Sequence, residues 1–215
     1  MPPFLKSRSR IAAHHYHEQD QHQDCQTNID EKASYNSLTV WRKSLIFSCN
    51  GFTVIGSDGS LVYRVDNYSS RPNQIMLMDA HGFPIFTISR PKKLRLVGNY
   101  WLIYEGEVGK ESSNKPIFCV RKNMSIIKAK PSVLAYVYGG GVSGEGFKYT
   151  VEGSYARRSC KIMDESRRAL SEIKKKVAMK RGASFGVEVF NLLVQPGFDS
   201  RFAMAIVLLL DQMFS

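Results

Sequence analysis

From Phe202 to Leu210 the chain reads FAMAIVLLL, a run without one polar side chain. A helix apolar on every face must be enclosed, by lipid or by protein, because no side of it can be left to water. Asp199-Ser200, after the Pro196-Gly197 turn, supplies an N-cap signal, and Phe202 to Met213 reads as a helix. Such a helix reaches only about 18 Å, against roughly 30 Å for the hydrocarbon core of a bilayer. Arg201 on one flank and Asp211-Gln212 on the other also argue against a span. The sequence therefore predicts a helix walled in by protein and no transmembrane segment.

The wall is legible upstream. From Leu38 onward the chain breaks into short apolar runs: LTVW, SLIFSC, GFTVIG, SLVYRVDNY, IMLMD, PIFTIS, LRLVG, YWLIYEGEV, PIFCVRK, SVLAYVYG, FKYTVEG, SCKIMD and VEVFNLLV. They are dense in β-branched and aromatic residues and bounded by Gly, Pro, Asn, Asp or Ser, as strands are. Several alternate: Leu61, Tyr63 and Val65 share one face, and Ile85 and Thr87 oppose Phe86 and Ile88. Connections this short favour an antiparallel meander over parallel βαβ units.

A weak repeat supports hairpins. VIGSDG (54–59), LMDAHG (77–82) and IMDESR (162–167) each place an apolar pair before a turn, with apolar residues returning after it. Asp and Gly close such turns through side-chain hydrogen bonds and positive φ. The stretch 166–181 (SRRALSEIKKKVAMKR) has high helix propensity. The repeat overrides that weak preference and predicts strand. A closed β-barrel threaded by its own C-terminal helix meets both demands, strands without edges and a helix without an exposed face. The fold class is thus mainly β, a closed antiparallel barrel around a hydrophobic C-terminal α-helix. It occupies residues 35–215, and residues 1–34 form a His/Gln-rich polar tail with too few aliphatics to fold.

The net charge is +11. Residues 1–34 hold four Lys/Arg and five acids, so residues 35–215, with 26 bases and 14 acids, carry +12. The basic character belongs to the folded part and points to anionic partners. The clusters are Arg90-Pro91-Lys92-Lys93-Leu94-Arg95; Arg121-Lys122 with Lys128 and Lys130; Arg157, Arg158 and Lys161; and Arg167, Arg168, Lys174, Lys175, Lys176, Lys180 and Arg181. The candidate anion-binding residues are Arg90, Lys92, Lys93, Arg95, Arg121, Lys122, Lys174, Lys175 and Lys176. Almost no aromatics interleave the Lys-rich runs, which weighs against single-stranded nucleic acid.

Catalytic and cofactor patterns are lacking. Gly139 to Gly144 fits GxGxxG, but EGFKYTVEG follows as strand where a dinucleotide site needs a helix. Cys25, Cys49, Cys119 and Cys160 lack metal-ligand spacing, and His81, the histidine outside the tail, falls in a turn. No metal or cofactor is implied, the expectation is not an enzyme, and the cysteine usage and N-terminus read as intracellular.

At this point the residues resemble a family. Leu38-Thr39-Val40-Trp41-Arg42-Lys43-Ser44-Leu45, Asn50-Gly51-Phe52-Thr53-Val54 and Tyr63-Arg64-Val65-Asp66-Asn67-Tyr68 look like the opening of the LURP-one-related proteins of plants. Leu77-Met78-Asp79-Ala80, Pro196-Gly197-Phe198-Asp199 and Leu208-Leu209-Leu210-Asp211-Gln212 match as well. The resemblance covers about residues 35–215. It implies a fold similar to the tubby C-terminal domain and phospholipid scramblases, an antiparallel barrel of about twelve strands enclosing the helix, and a link to plant defence. The expected function is a non-enzymatic binding or regulatory protein, cytoplasmic or nuclear, meeting phosphoinositides or other anionic lipids peripherally. The alternatives are a nucleic-acid-linked regulator, a protein–protein adaptor of stress signalling with unknown partners, and, least expected, scramblase-like translocation.

Overall fold

The computed structural model describes residues 35–47, 49–67, 73–91, 100–108, 115–124, 133–140, 146–176 and 185–214. Twelve strands precede one helix: β1 (Asn36–Trp41), β2 (Asn50–Ile55), β3 (Leu61–Asn67), β4 (Gln74–Asp79), β5 (Pro84–Ser89), β6 (Tyr100–Glu105), β7 (Phe118–Lys122), β8 (Val133–Gly139), β9 (Tyr149–Ser154), β10 (Ser159–Met163), β11 (Ala169–Lys175), β12 (Val189–Val194) and α1 (Ser200–Phe214). Each strand pairs antiparallel with its sequence neighbours, and β1 pairs with β12, closing the barrel. The closing register runs from Asn36 opposite Val194 to Trp41 opposite Val189.

Alternation fills the lumen. Leu38 and Val40, Phe52 and Val54, Tyr63 and Val65, Phe86 and Ile88, Cys160 and Ile162, and Phe190, Leu192 and Val194 are all buried in one cluster with α1. Every residue from Phe202 to Leu210 is at most 3 % exposed, so the helix has no solvent face. β6 is apolar on both sides. Trp101 and Ile103 join the lumen, while Tyr100 and Leu102 form a second cluster with Cys119 outside it. That placement leaves Cys119 and Cys160 as inert thiols, since burial pushes both up, Cys160 to about 11.

The three repeats make one kind of turn. Gly59, Gly82 and Arg167 donate to the carbonyls of Gly56, Asp79 and Asp164, and all three have positive φ. Carboxylates of Asp58, Asp79 and Asp164 accept backbone N–H groups in these turns. A register shift marks each, at Val54/Ile55, Leu77/Met78 and Ile162/Met163. Arg167, where the other copies have glycine, takes the left-handed conformation at φ 63. Residues 169–175 are strand, as the repeat requires and against their helix propensity.

One predicted strand is corrected. SLIFSC lies in the β1–β2 connection, where Leu45, Ile46 and Phe47 are exposed and pair with nothing in the sheet. The reason is local anchoring: Ser44 donates to the buried Asp66 carboxylate and accepts from the Ile46 amide, which turns the chain off the sheet. LRLVG and the tail 1–34 lie outside the described residues.

Both helix ends are held. Asp199 caps the start, its carboxylate accepting the Arg201 amide at 2.8 Å, and Ser200 bonds the Tyr63 hydroxyl at 2.8 Å. At the far end the buried Asp211 accepts from the Tyr155 hydroxyl at 3.1 Å and pairs with Arg42 at 3.0 Å. Burial and the Asp211 charge push the Tyr155 phenol far up, so it stays a donor at all ordinary pH.

Two outcomes follow from this core. Ala205→Asp places an unpaired carboxylate among fully buried side chains, at a cost of about 3 kcal/mol or more. It should abolish cooperative thermal unfolding by circular dichroism, whereas Ala205→Ser keeps a transition. The Asp199 carboxyl sits below its usual range: burial opposes the shift, but hydrogen bonds from Arg201 outweigh it. A depressed acid stabilises above its unfolded pKa of about 3.9 and loses that contribution as pH falls through the folded value. Asp199→Asn keeps a cap but not the charge, so it should unfold more easily than wild type at pH 7, by about 0.5 kcal/mol. The gap should close as pH falls through the lowered folded-state value of Asp199, read in urea titrations.

Candidate anionic-ligand surface

Strict sequential pairing sets the ends of the barrel. The helix starts beside Tyr63, near the β3 start, and ends beside Lys122, the last residue of β7. All odd-numbered strands therefore finish at the rim where α1 ends, here the exit rim, and all even-numbered strands begin there.

The bases follow this polarity. Among the described residues the exit rim carries Arg42, Lys43, Arg90, Arg121, Lys122, Arg157, Arg158, Lys175 and Lys176, against three acids, Asp66, Glu188 and Asp211. The entry rim carries seven acids, Asp58, Asp79, Glu105, Glu107, Asp164, Glu165 and Asp199. Its bases number five, Lys115, Lys148, Arg167, Arg168 and Arg201. The segments joining exit-rim strands outside the described residues (68–72, 92–99, 125–132 and 177–184) hold eight further Lys/Arg and no acid in sequence. Among the described residues the excess of bases over acids thus belongs to one rim.

The sequence-predicted residues distribute around that rim. Lys92, Lys93 and Arg95 lie outside the described residues. Arg90 and Arg121 rest on rings, 5.2 Å from the Trp101 centre and 4.8 Å from that of Tyr138. Lys122 serves the fold: its ammonium donates to the Met213 carbonyl at 2.6 Å and lies 4.4 Å from the Phe214 ring, at the negative end of α1. Lys174 stands on the outer wall, bound with Lys161 to Glu172, whose carboxyl is held low by these partners against its burial. Lys175 is exposed, and Lys176 reaches the Thr39 hydroxyl at 2.7 Å. β11 lies six strands from β5 either way round, so the clusters share an end of the barrel without forming one compact spot.

Sequence reasoning missed Arg42 and Lys43 as parts of this end, and it named Arg158 in a basic cluster without making it a candidate. Arg158 is buried between the rings of Tyr155 and Phe190 at 4.1 and 4.5 Å, in a left-handed turn, and donates to the Val187 carbonyl at 2.7 Å. A cleft of about 660 Å³ opens beside the helix end. Its bases Arg42 and Lys43 face Glu188 and Asp211, so its charge is balanced and the exposed rim, not the cleft, is the cationic surface. No group of His, Cys, Asp or Glu able to hold a metal occurs among the described residues. No described helix is long and apolar enough to cross a membrane.

The fold and site define a class: a closed antiparallel barrel plugged by its own helix, basic at one rim. The LURP-one-related family profile matches residues 36–211. Protein LURP-one-related 17 of Arabidopsis thaliana is 44 % identical, with all of both chains covered. Protein LURP-one-related 8 of the same plant is 45 % identical over 88 % of this chain and 93 % of its own. The X-ray structure of an Arabidopsis thaliana protein superposes with a TM-score of 0.60 at 18 % identity, over 84 % of this chain and 91 % of that one, a likeness of fold. The chain belongs to the LURP-one-related family.

The two kinds of rim base separate by experiment. Lys122→Met, losing the helix-end carbonyl bond, should lower stability by about 1 kcal/mol. Lys175→Gln should leave it within about 0.5 kcal/mol, both read from denaturant midpoints.

Proposed function

We propose that this protein is a non-enzymatic peripheral module whose exit rim binds anionic lipid headgroups, phosphoinositides among them. The observation that carries this reading is the segregation of charge, nine described bases against three acids at one rim and an acid excess at the other. A charge-polarised particle orients in the field of an anionic surface, and each base brought near it contributes about 1 kcal/mol. Exposed Trp41, Leu45, Phe47, Phe185 and Val187 share that rim, and apolar side chains among bases suit a bilayer surface better than nucleic acid. The link to plant defence that the family resemblance implies fits a regulatory role at the cytoplasmic face of a membrane.

Sedimentation with vesicles, with and without phosphoinositide at physiological salt, tests the reading. Wild type should pellet with the charged vesicles and not with neutral ones. Arg157→Gln with Lys175→Gln should weaken binding by roughly 30-fold with unchanged melting. Salt-dependent binding to DNA without vesicle binding would instead make the rim a nucleic-acid surface.

A further inference from the structure

The β1–β2 loop presents the apolar residues Leu45, Ile46 and Phe47 to solvent at 53, 37 and 95 % exposure. Chains do not leave a nearly bare Phe beside two aliphatics without something to cover them. The loop is held rather than slack. Ser44 anchors it to the buried Asp66, the Thr53 hydroxyl donates to the Lys43 carbonyl at 2.7 Å, and the Cys49 amide returns to the Ile46 carbonyl at 3.2 Å. The Arg42 amide bonds the Glu188 carbonyl at 2.8 Å. That bond sets the loop beside the β11–β12 connection, which exposes Phe185 and Val187.

We infer that the Leu45-Ile46-Phe47 tip is a wedge that inserts into the headgroup–acyl boundary of an anionic bilayer. This rests on the proposed lipid-facing rim and deepens it. Charge complementarity chooses the occupant: the wedge rises from the rim that carries Arg90, Arg121, Arg157, Lys175 and Lys176, with Lys43 at its own base. An apolar tip protruding from a basic rim matches a surface that is anionic outside and hydrocarbon beneath. The bases draw the rim to the surface, and the tip then adds affinity that salt does not screen. Trp41, at the base of the loop and 39 % exposed, comes to the level of the headgroups, where indole rings concentrate.

Trp41 also serves as the reporter, because Trp101 is buried in the lumen. With vesicles of phosphatidylcholine and phosphatidylserine, wild-type emission should shift to the blue and be quenched by acyl-brominated lipid. Leu45→Ser with Phe47→Ser should keep the melting temperature and the affinity for soluble inositol trisphosphate. It should lower vesicle partitioning at least about tenfold, with the same salt dependence as wild type. Vesicle binding without Trp41 quenching, or partitioning unchanged in the double variant, overturns the wedge and leaves headgroup binding standing. Absence of wild-type vesicle binding overturns both. Wild-type self-association in sedimentation velocity that the double variant loses, with partitioning unaltered, assigns the tip to a second copy and overturns the wedge as well.

Discussion

The structure depends on burying one helix on all of its faces. A sheet packed on one side would leave half of Phe202–Leu210 in water; only a wall that meets itself removes that exposure. The β1–β12 pairing is therefore the step that makes the helix possible. The helix in turn fills a lumen that twelve strands would otherwise leave too wide for their own side chains.

Burying a helix also buries its ends, and the charges of the rims answer to that. Asp199 stands at the positive end of α1; Lys122 donates to a carbonyl at its negative end. Asp211 runs against the dipole, and its charge is met by Arg42 and Tyr155, which pair with it and donate to it from the β1–β2 and β9–β10 connections. The basic character of the exit rim thus agrees with the negative end of the helix inside. A base at the exit rim can hold the plug or stand exposed, and Lys122 and Lys175 are the two extremes of that range.

Most of the wall was legible because strand signals are local. Val, Ile and aromatic runs between Asp, Gly and Pro turns mark β2, β5 or β12 without help from tertiary structure, and the turn repeat recovered β11 against its own propensity. Ser44–Cys49 was misread because composition alone cannot tell an apolar strand from an apolar loop. What decided it was a hydroxyl reaching a carboxylate 22 residues away. The basic clusters were visible as runs, but their common end was not. Even spacing along the chain looks like scatter until alternate hairpin connections are seen to return to the same rim.

The sequence by itself determined that a short, wholly apolar helix must be enclosed and that strands would enclose it. Both follow from solvation and local geometry, which act residue by residue. Only the tertiary structure decided which bases stand together, which of them are spent on Met213 or Glu172, and that Leu45 to Phe47 point outward. Those are consequences of register and closure, and they arise from contacts between residues far apart in the chain.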